Sequence, residues 1–191
     1  IVLFAHGSGS SRWSTRNRKV ARALVEGGLA TLLFDLLTED EERTDVETAE
    51  FRFNIGLLAN RLASATDWVL DQPELQTLKI GYFGASTGAA AAIVAAAKRP
   101  DAIAAIVSRG GRPDLAGPAL PKVLPPTLFI VGGADVPVIG MNREAMAQMR
   151  SLVKLTIVPG ATHLFEEPGK LEEVSRLARE WFLRYLYFTT S

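Results

Sequence analysis

The sequence contains no cysteine among its 191 residues, and it has only two histidines. The lack of cysteine excludes disulfides, thiolate metal sites and a cysteine nucleophile. The two histidines, His6 and His163, lie near opposite ends of the chain and form no His-Glu-x-x-His spacing. We therefore expect neither a metal nor a cofactor, and any covalent chemistry must use an atom other than a thiolate sulfur.

The sequence has no excess charge of either sign, because 21 Lys and Arg balance 21 Asp and Glu. The basic residues do not concentrate on one helix or tail, so nothing indicates a nucleic-acid or polybasic membrane surface. No apolar stretch reaches the roughly 18 residues of a membrane span, and no secretory signal is visible. The expectation is a cytoplasmic monomer or homodimer whose partners are small molecules.

Apolar runs of strand length alternate with segments that carry apolar residues at helical spacing. The runs are continuous, which is typical of strands buried on both faces. The predicted strands are Ile1 to Ala5, Leu29 to Asp35, Leu78 to Phe83, Ile103 to Ser108, Thr127 to Val131 and Val153 to Val158. The predicted helices are Thr15 to Glu26, Phe51 to Asp71, Thr87 to Lys98, Arg143 to Arg150 and Leu171 to Leu186. We predict a single α/β domain over residues 1–191, with a mostly parallel sheet of about six strands and helices on both faces.

Two connections differ from the rest in composition. The segment from Thr38 to Glu50 is acidic, and we interpret it as a solvated loop or helix start rather than as a wall that faces substrate. The segment from Arg109 to Pro126 is rich in Gly and Pro, which predicts a compact irregular loop with no room for a lid domain. The site is therefore expected to be open.

The most informative motif is Gly84-Ala85-Ser86-Thr87-Gly88, which lies between a predicted strand and an alanine-rich helix. A serine nucleophile at such a turn adopts strained backbone angles, so the residues two before and two after it must be small. Gly84 and Gly88 meet that need. The motif predicts a nucleophile elbow with Ser86 at its tip.

Other polar side chains follow the predicted strands, at the sheet edge where doubly wound folds bind ligands. They are His6-Gly7-Ser8-Gly9-Ser10, Asp35, Ser108-Arg109, Asp135 and His163. His163, on the loop after the last strand, is the better candidate for the base that activates Ser86. Asp135 is the predicted acid that orients this histidine, with Asp114 as fallback and the two glutamates after the histidine, Glu166 and Glu167, as poorer alternatives.

The loop after the first strand supplies the remaining candidates. The backbone N–H groups of Ser8 and Thr87 are the predicted oxyanion hole, with Gly7 as the second choice in the loop. We assign His6, Gly7 and Arg109 to substrate binding, although His6 is expected mainly to hydrogen-bond within the turn. Arg109 is a candidate for a substrate carboxylate or phosphate, and an ion pair with Asp114 or a nearby Glu is the alternative.

The chain resembles the α/β-hydrolase superfamily and, within it, the dienelactone hydrolase-like group of small, lidless enzymes. The resemblance covers essentially the whole chain and rests on the stretches FAHGSGSSR, RFNIGLLANRL, IGYFGASTGAAAA, IVSRGGRPDLAG, LFIVGGADVPV and VPGATHLFEEPG. These look like a bacterial subgroup in which some members are joined to a phosphoribosyltransferase domain, which nothing here covers. The resemblance implies Ser86 as nucleophile, Asp135 as acid and His163 as base.

Two departures from the family limit what is carried over. Dienelactone hydrolase proper uses a cysteine nucleophile, so its substrate specificity is not transferred to this serine version. The family also has one or two strands before the position of Ile1, and these are absent here. The first strand is therefore expected to be an edge or to lack a neighbour's support.

The function expected from these residues is hydrolysis of small carboxylic esters through an acyl-enzyme on Ser86. Lactone or thioester hydrolysis and acyl transfer use the same groups, so they stay open as alternatives. A non-catalytic binding or regulatory domain of a larger enzyme is a third possibility, and it predicts that Ser86, Asp135 and His163 are dispensable.

Overall fold

A computed structural model describes residues 1–187, and its centre is a six-stranded sheet in the order β2-β1-β3-β4-β5-β6. The strands are β1 Val2–Ala5, β2 Thr31–Leu33, β3 Ile80–Ala85, β4 Ile103–Arg109, β5 Thr127–Gly132 and β6 Val153–Val158. Each neighbouring pair in this sheet is parallel. The predicted α/β class and the parallel sheet of about six strands are confirmed.

Helices cover both faces of the sheet, as predicted. They are α1 Thr15–Glu26, α2 Glu39–Thr48, α3 Ile55–Asp71, α4 Thr87–Lys98, α5 Val136–Met146 and α6 Lys170–Phe182. Helices α1 and α6 pack on one face, and α3 and α4 pack on the other. Two 3-10 turns occupy Pro113–Lys122, in the connection that the sequence predicted to be compact, and a π-helical turn spans Leu183–Tyr187.

Strand β3 shows how alternate residues build the two cores. Ile80 and Tyr82 belong to the core beneath α3 and α4, whereas Phe83 belongs to the core beneath α1 and α6. The fully buried hydroxyl of Tyr82 is paired with Thr66 of α3, with 2.5 Å between the two oxygens. Burial raises the pKa of Tyr82 to about 12. Each fully buried large apolar side chain contributes about 2 kcal/mol to folding, so both cores stabilise the central strands.

Helix α4 approaches the sheet more closely than large side chains would permit. Alanines occupy most of its length, and all of them except Ala97 are fully buried. At its first turn, a Cβ added to Gly88 would lie 2.1 Å from the carbonyl oxygen of Ala5 and 2.5 Å from that of His6. Only glycine fits there, because the neighbouring atoms are main chain and cannot move aside without displacing β1.

Side chains cap the first turns of α2 and α3. The acidic segment forms α2, which begins with a capping box between Thr38 and Glu41. The Asn54 side chain accepts a hydrogen bond from the Leu57 N–H, so α3 begins at Ile55 rather than at Phe51 as predicted. The acidic segment, predicted to be a solvated loop or helix start, is thus a capped helix.

Two expectations from the sequence are wrong. The helix expected over Arg143 to Arg150 instead runs over Val136–Met146, because Pro137 stands in its first turn, where a missing N–H is tolerated. The first strand is not at an edge, since β1 lies between β2 and β3. Within residues 1–187, no helix combines the length and the apolar character that crossing a membrane requires.

The contact at Gly88 predicts a large and local effect on stability. The Gly88→Ala change should lower the free energy of unfolding by about 3 kcal/mol, because the new methyl group overlaps the main chain of β1. Gly140, inside α5, has no atom within 4 Å of an added Cβ. Gly140→Ala should therefore leave stability unchanged or raise it by up to about 1 kcal/mol. Urea denaturation of both variants measures the difference; equal effects would contradict the packing argument.

Candidate active site

Ser86 lies between β3 and α4 with φ 52° and ψ −122°, a conformation that non-glycine residues rarely adopt. The two flanking glycines make this turn possible. A Cβ on Gly84 would lie 2.4 Å from the Ala89 Cα, and Gly88 is confined as described above. The sharp turn exposes the Ser86 side chain at the carboxyl edge of the sheet, which is the geometry of a nucleophile elbow.

The loop after β1 passes directly beside Ser86. A Cβ added to Gly7 would lie 3.1 Å from the Ser86 Cβ, so glycine permits this approach. The Ser8 hydroxyl pairs with the Thr87 hydroxyl at 3.0 Å and also contacts the Arg52 carbonyl oxygen at 3.3 Å. The backbone N–H groups of Ser8 and Thr87 donate no hydrogen bond within residues 1–187. Both donors are therefore free for a ligand oxygen.

His6 holds this loop in place through both ring nitrogens. Its Nε2 accepts a hydrogen bond from the Leu36 N–H at 3.0 Å, so the ring proton is on Nδ1, which donates to the Gly7 carbonyl oxygen at 2.9 Å. The ring is 6% exposed. His6 therefore ties the end of β1 to the segment after β2, and it has no nitrogen left to act as a base.

Asp135 and His163 contact each other at the carboxyl ends of β5 and β6. Asp135 follows β5 and His163 follows β6, and 2.6 Å separates Asp135 Oδ2 from His163 Nδ1. The Ala134 N–H donates to the Ala161 carbonyl oxygen, which joins the two loops. The carboxylate thus fixes the imidazole with its far nitrogen, Nε2, unbonded within residues 1–187.

The imidazole lies beside Gly110, and the residue before Gly110 bonds to the main chain of the elbow. A Cβ on Gly110 would lie 3.5 Å from His163 Nδ1 and Cε1. Gly110 directly follows Arg109, whose carbonyl oxygen accepts the Ser86 N–H at 3.2 Å. The Ser86 hydroxyl makes no hydrogen bond with His163 or with any other residue of 1–187. Such bonds are often long in ligand-free enzymes and tighten when substrate binds.

The alternative acids are engaged elsewhere. Asp114 accepts two hydrogen bonds from Arg112, at 2.9 and 2.7 Å, and Glu166 contacts Arg16 at 3.4 Å. Glu167 accepts hydrogen bonds from the N–H and the hydroxyl of Thr162, at 3.0 and 2.5 Å. Among the described residues, only Asp135 bonds to His163.

Arg109 lies at the end of β4, and its side chain is buried against α1. The guanidinium is 3.4 Å from the Asn17 side-chain oxygen and has no carboxylate partner within the described range. The ion pair with Asp114 belongs to Arg112 instead, so the alternative expected for Arg109 is wrong. Burial, and to a smaller extent the charge of Arg16, lowers the pKa of Arg109 to about 10. Substrate binding by Arg109 stays a prediction.

Two residues support the loop of His163 in ways that the sequence did not indicate, although Glu167 was named as an alternative acid. Phe165 has φ 56° in the histidine loop, and its ring is buried in the core beneath α6. Glu167 closes the same loop onto Thr162. The only sequence signal is that both residues follow His163 closely. The strained backbone at Phe165 is held by burial of its ring.

A pocket opens between the loop after β1 and helix α2, and we call it the Ser8 pocket. Its walls are residues 6–10, Thr87, the apolar side chains of Leu36 and Leu58, and the charged side chains of Glu42, Asp45 and Arg52. Its volume is about 20 Å³, enough for one water-sized group. No residue of α2 was expected at the site from the sequence. Across residues 1–187, no group of three or more His, Cys, Asp or Glu could hold a metal ion.

A parallel sheet with a strained serine between β3 and α4, and with histidine and aspartate on later loops, defines an α/β hydrolase. The chain belongs to the dienelactone hydrolase family, whose model matches residues 1–190. The dienelactone hydrolase of Anabaena variabilis is 62% identical, with a TM-score of 0.95 over 97% of this chain and 86% of that one. The family resemblance noted in the sequence is confirmed.

More distant structures share the fold. Est1E from Butyrivibrio proteoclasticus is 18% identical, with a TM-score of 0.79 over 96% of this chain and 86% of that one. A curated relative from Mycobacterium tuberculosis, which carries a phosphoribosyl transferase name, is 57% identical over 186 residues. Those residues are 97% of this chain but 41% of the relative, so the chain spans less than half of the length of the curated relatives it matches. The family match and the Anabaena variabilis structure support a hydrolase.

Glu167 predicts a pH-dependent contribution to stability. Hydrogen bonds from Thr162 lower the pKa of Glu167 below its ordinary 4.5. The stabilisation is therefore fully present above pH 4.5 and is lost as pH falls through the lowered value. Glu167→Gln should reduce the free energy of unfolding at about pH 7 more than at about pH 3, as measured by urea denaturation. The neighbouring variant Glu166→Gln, which loses only an exposed contact, is the control; an equal pH dependence in both would refute the prediction.

Proposed function

We propose that this chain is a serine hydrolase of small carboxylic esters that works through an acyl-enzyme. The observation that carries the proposal is the meeting of three groups at one sheet edge. Ser86 stands on a strained elbow, the Asp135–His163 pair reaches that elbow through Gly110, and two free N–H groups flank it. A tight turn without a chemical role could use glycine at position 86. The strained backbone of Ser86 therefore indicates that its side chain is needed there.

In the first half of the reaction, Ser86 Oγ attacks the ester carbonyl carbon while His163 Nε2 takes its proton. Asp135 accepts the Nδ1–H and stabilises the imidazolium that forms. The N–H groups of Ser8 and Thr87 bind the oxyanion, each contributing about 3 kcal/mol to the transition state. Collapse of the intermediate expels the alcohol, which receives the proton from His163 and leaves an acyl group on Ser86.

In the second half, water attacks the acyl carbon. His163 Nε2 takes one proton from that water and returns it to Ser86 Oγ as the carboxylic acid leaves. The α4 N-terminus adds its dipole to the site, because Thr87 is the first residue of that helix. Lactones, thioesters and acyl acceptors other than water would use the same groups. The phosphoribosyl transferase name belongs to longer relatives and does not account for these groups.

The Ser86 side chain is expected to react with a fluorophosphonate probe. The wild-type protein should be labelled stoichiometrically at Ser86, and Ser86→Ala should abolish both labelling and hydrolysis of a short-chain para-nitrophenyl ester. Ser64→Ala, at an exposed position on α3, is the matched control and should retain both. Mass spectrometry locates the adduct. Folded wild-type protein that takes up no probe would favour a binding or regulatory domain instead.

The Asp135–His163 contact predicts a defect in turnover rather than in binding. Asp135→Asn should lower kcat by about ten-thousand-fold with little change in KM, because the amide no longer accepts the Nδ1–H and favours the wrong tautomer. The removed acceptor is the one 2.6 Å from His163. Asp114→Asn, whose carboxylate bonds to Arg112, is the control and should keep its kcat. Equal losses in the two variants would argue against Asp135 as the orienting acid.

A further inference from the structure

The Ser8 pocket contains one charged side chain without a partner. Glu41, Glu42 and Asp45 form the inner face of α2, and Glu42 stands three residues before the buried Asp45, which places both on the side that faces the loop after β1. The Glu42 carboxylate makes no hydrogen bond or ion pair within residues 1–187. It therefore presents an uncompensated negative charge to a group that binds at the mouth of the pocket.

The other charges of the pocket cancel. Asp45 is 4% exposed and accepts hydrogen bonds from the N–H groups of Phe51 and Arg52, at 2.7 and 2.8 Å. The Arg52 guanidinium donates to the Asp45 carboxylate at 2.9 Å and to the Asp45 carbonyl oxygen at 2.5 Å. Because its Nε and Nη2 donate to Asp45, the charge of Arg52 is offset by that carboxylate. The net charge lining the pocket is therefore that of Glu42.

Contacts made by its neighbours in α2 fix the position of Glu42. One residue before it, Glu41 forms a two-point ion pair with Arg61 of α3, at 2.6 and 3.0 Å, and caps Thr38. Three residues after it, Asp45 anchors the turn that leads to α3. The carboxylate is thus placed by contacts on both sides, although its own atoms contact nothing polar.

The pocket walls strengthen the effect of this charge. Leu36 is fully buried and Leu58 is 3% exposed, so the interior side of the pocket is apolar. A charge beside low-dielectric walls acts more strongly on a ligand than the same charge in open water. The pocket also borders Ser8 and Thr87, whose N–H groups are proposed to bind the oxyanion.

We infer that Glu42 determines substrate charge preference: the site accepts esters whose group at the mouth of the Ser8 pocket is neutral or carries an ammonium, and it rejects carboxylates there. The inference rests on the proposed ester hydrolysis and names its substrate class. Arg109, the cation expected from the sequence to bind a substrate anion, does not line this pocket and is 7% exposed. No free cation of the described residues lining the Ser8 pocket offsets Glu42.

Three esters of matched length test the inference: a para-nitrophenyl alkanoate, its analogue with a terminal ammonium and its analogue with a terminal carboxylate. At low salt, wild-type kcat/KM for the carboxylate ester should be about tenfold below that for the neutral ester, and the ammonium ester should be at least equal to the neutral one. The differences should shrink at high salt. Glu42→Gln should bring the three values together.

Glu39→Gln is the matched control, because Glu39 is exposed in the first turn of the same helix and does not line the pocket. This variant should keep the wild-type order of the three esters. Hydrolysis of the neutral ester without charge discrimination, or discrimination that survives Glu42→Gln, would overturn the inference and leave the proposed hydrolysis intact. Failure to hydrolyse any of the three esters would overturn both.

Discussion

The close approach of α4 to β1 at Gly88 is the contact on which the rest of the site depends. It places the main chain at the start of α4 against the carbonyl oxygens of Ala5 and His6. As a result, the loop that leaves β1 must pass beside the turn that enters α4, and Gly7 meets Ser86 there. The strain at Ser86 is tolerable because the buried alanines of α4 and the central strands fix both ends of the turn.

A different set of contacts positions Asp135 and His163. The loops after β5 and β6 are joined by main-chain contacts, and a Cβ on Gly132 would lie 2.3 Å from the Ala161 carbonyl oxygen. The ring of Phe165 is buried in the core and anchors the loop that carries His163. At the surface, the Glu167 carboxylate accepts a hydrogen bond from Thr162 of the same loop. Asp135 and His163 are therefore positioned by groups that take no part in the proposed chemistry, which is how a preorganised site avoids rearrangement during reaction.

Helix α2 contributes to the site by its charge rather than by reactive groups. Two of its inner carboxylates are neutralised, Glu41 by Arg61 and Asp45 by Arg52, and these pairs fix the helix beside the loop after β1. Glu42 stays unpaired between them. The acidic segment thus fixes the turn between α2 and α3, and it also forms one wall of the Ser8 pocket.

Local sequence patterns determined the sheet, the elbow and the order of Ser86, Asp135 and His163, because continuous apolar runs, paired glycines and strand-end residues act over short stretches of chain. They also indicated the role of His6 within its turn. The sequence favoured Asp135 as the acid beside His163 but left Asp114, Glu166 and Glu167 open, and it did not determine where Arg109 points. It also did not show that Glu42 borders the loop after β1. Those outcomes depend on contacts between residues far apart in the chain. Only the folded packing of helices against the sheet decided them.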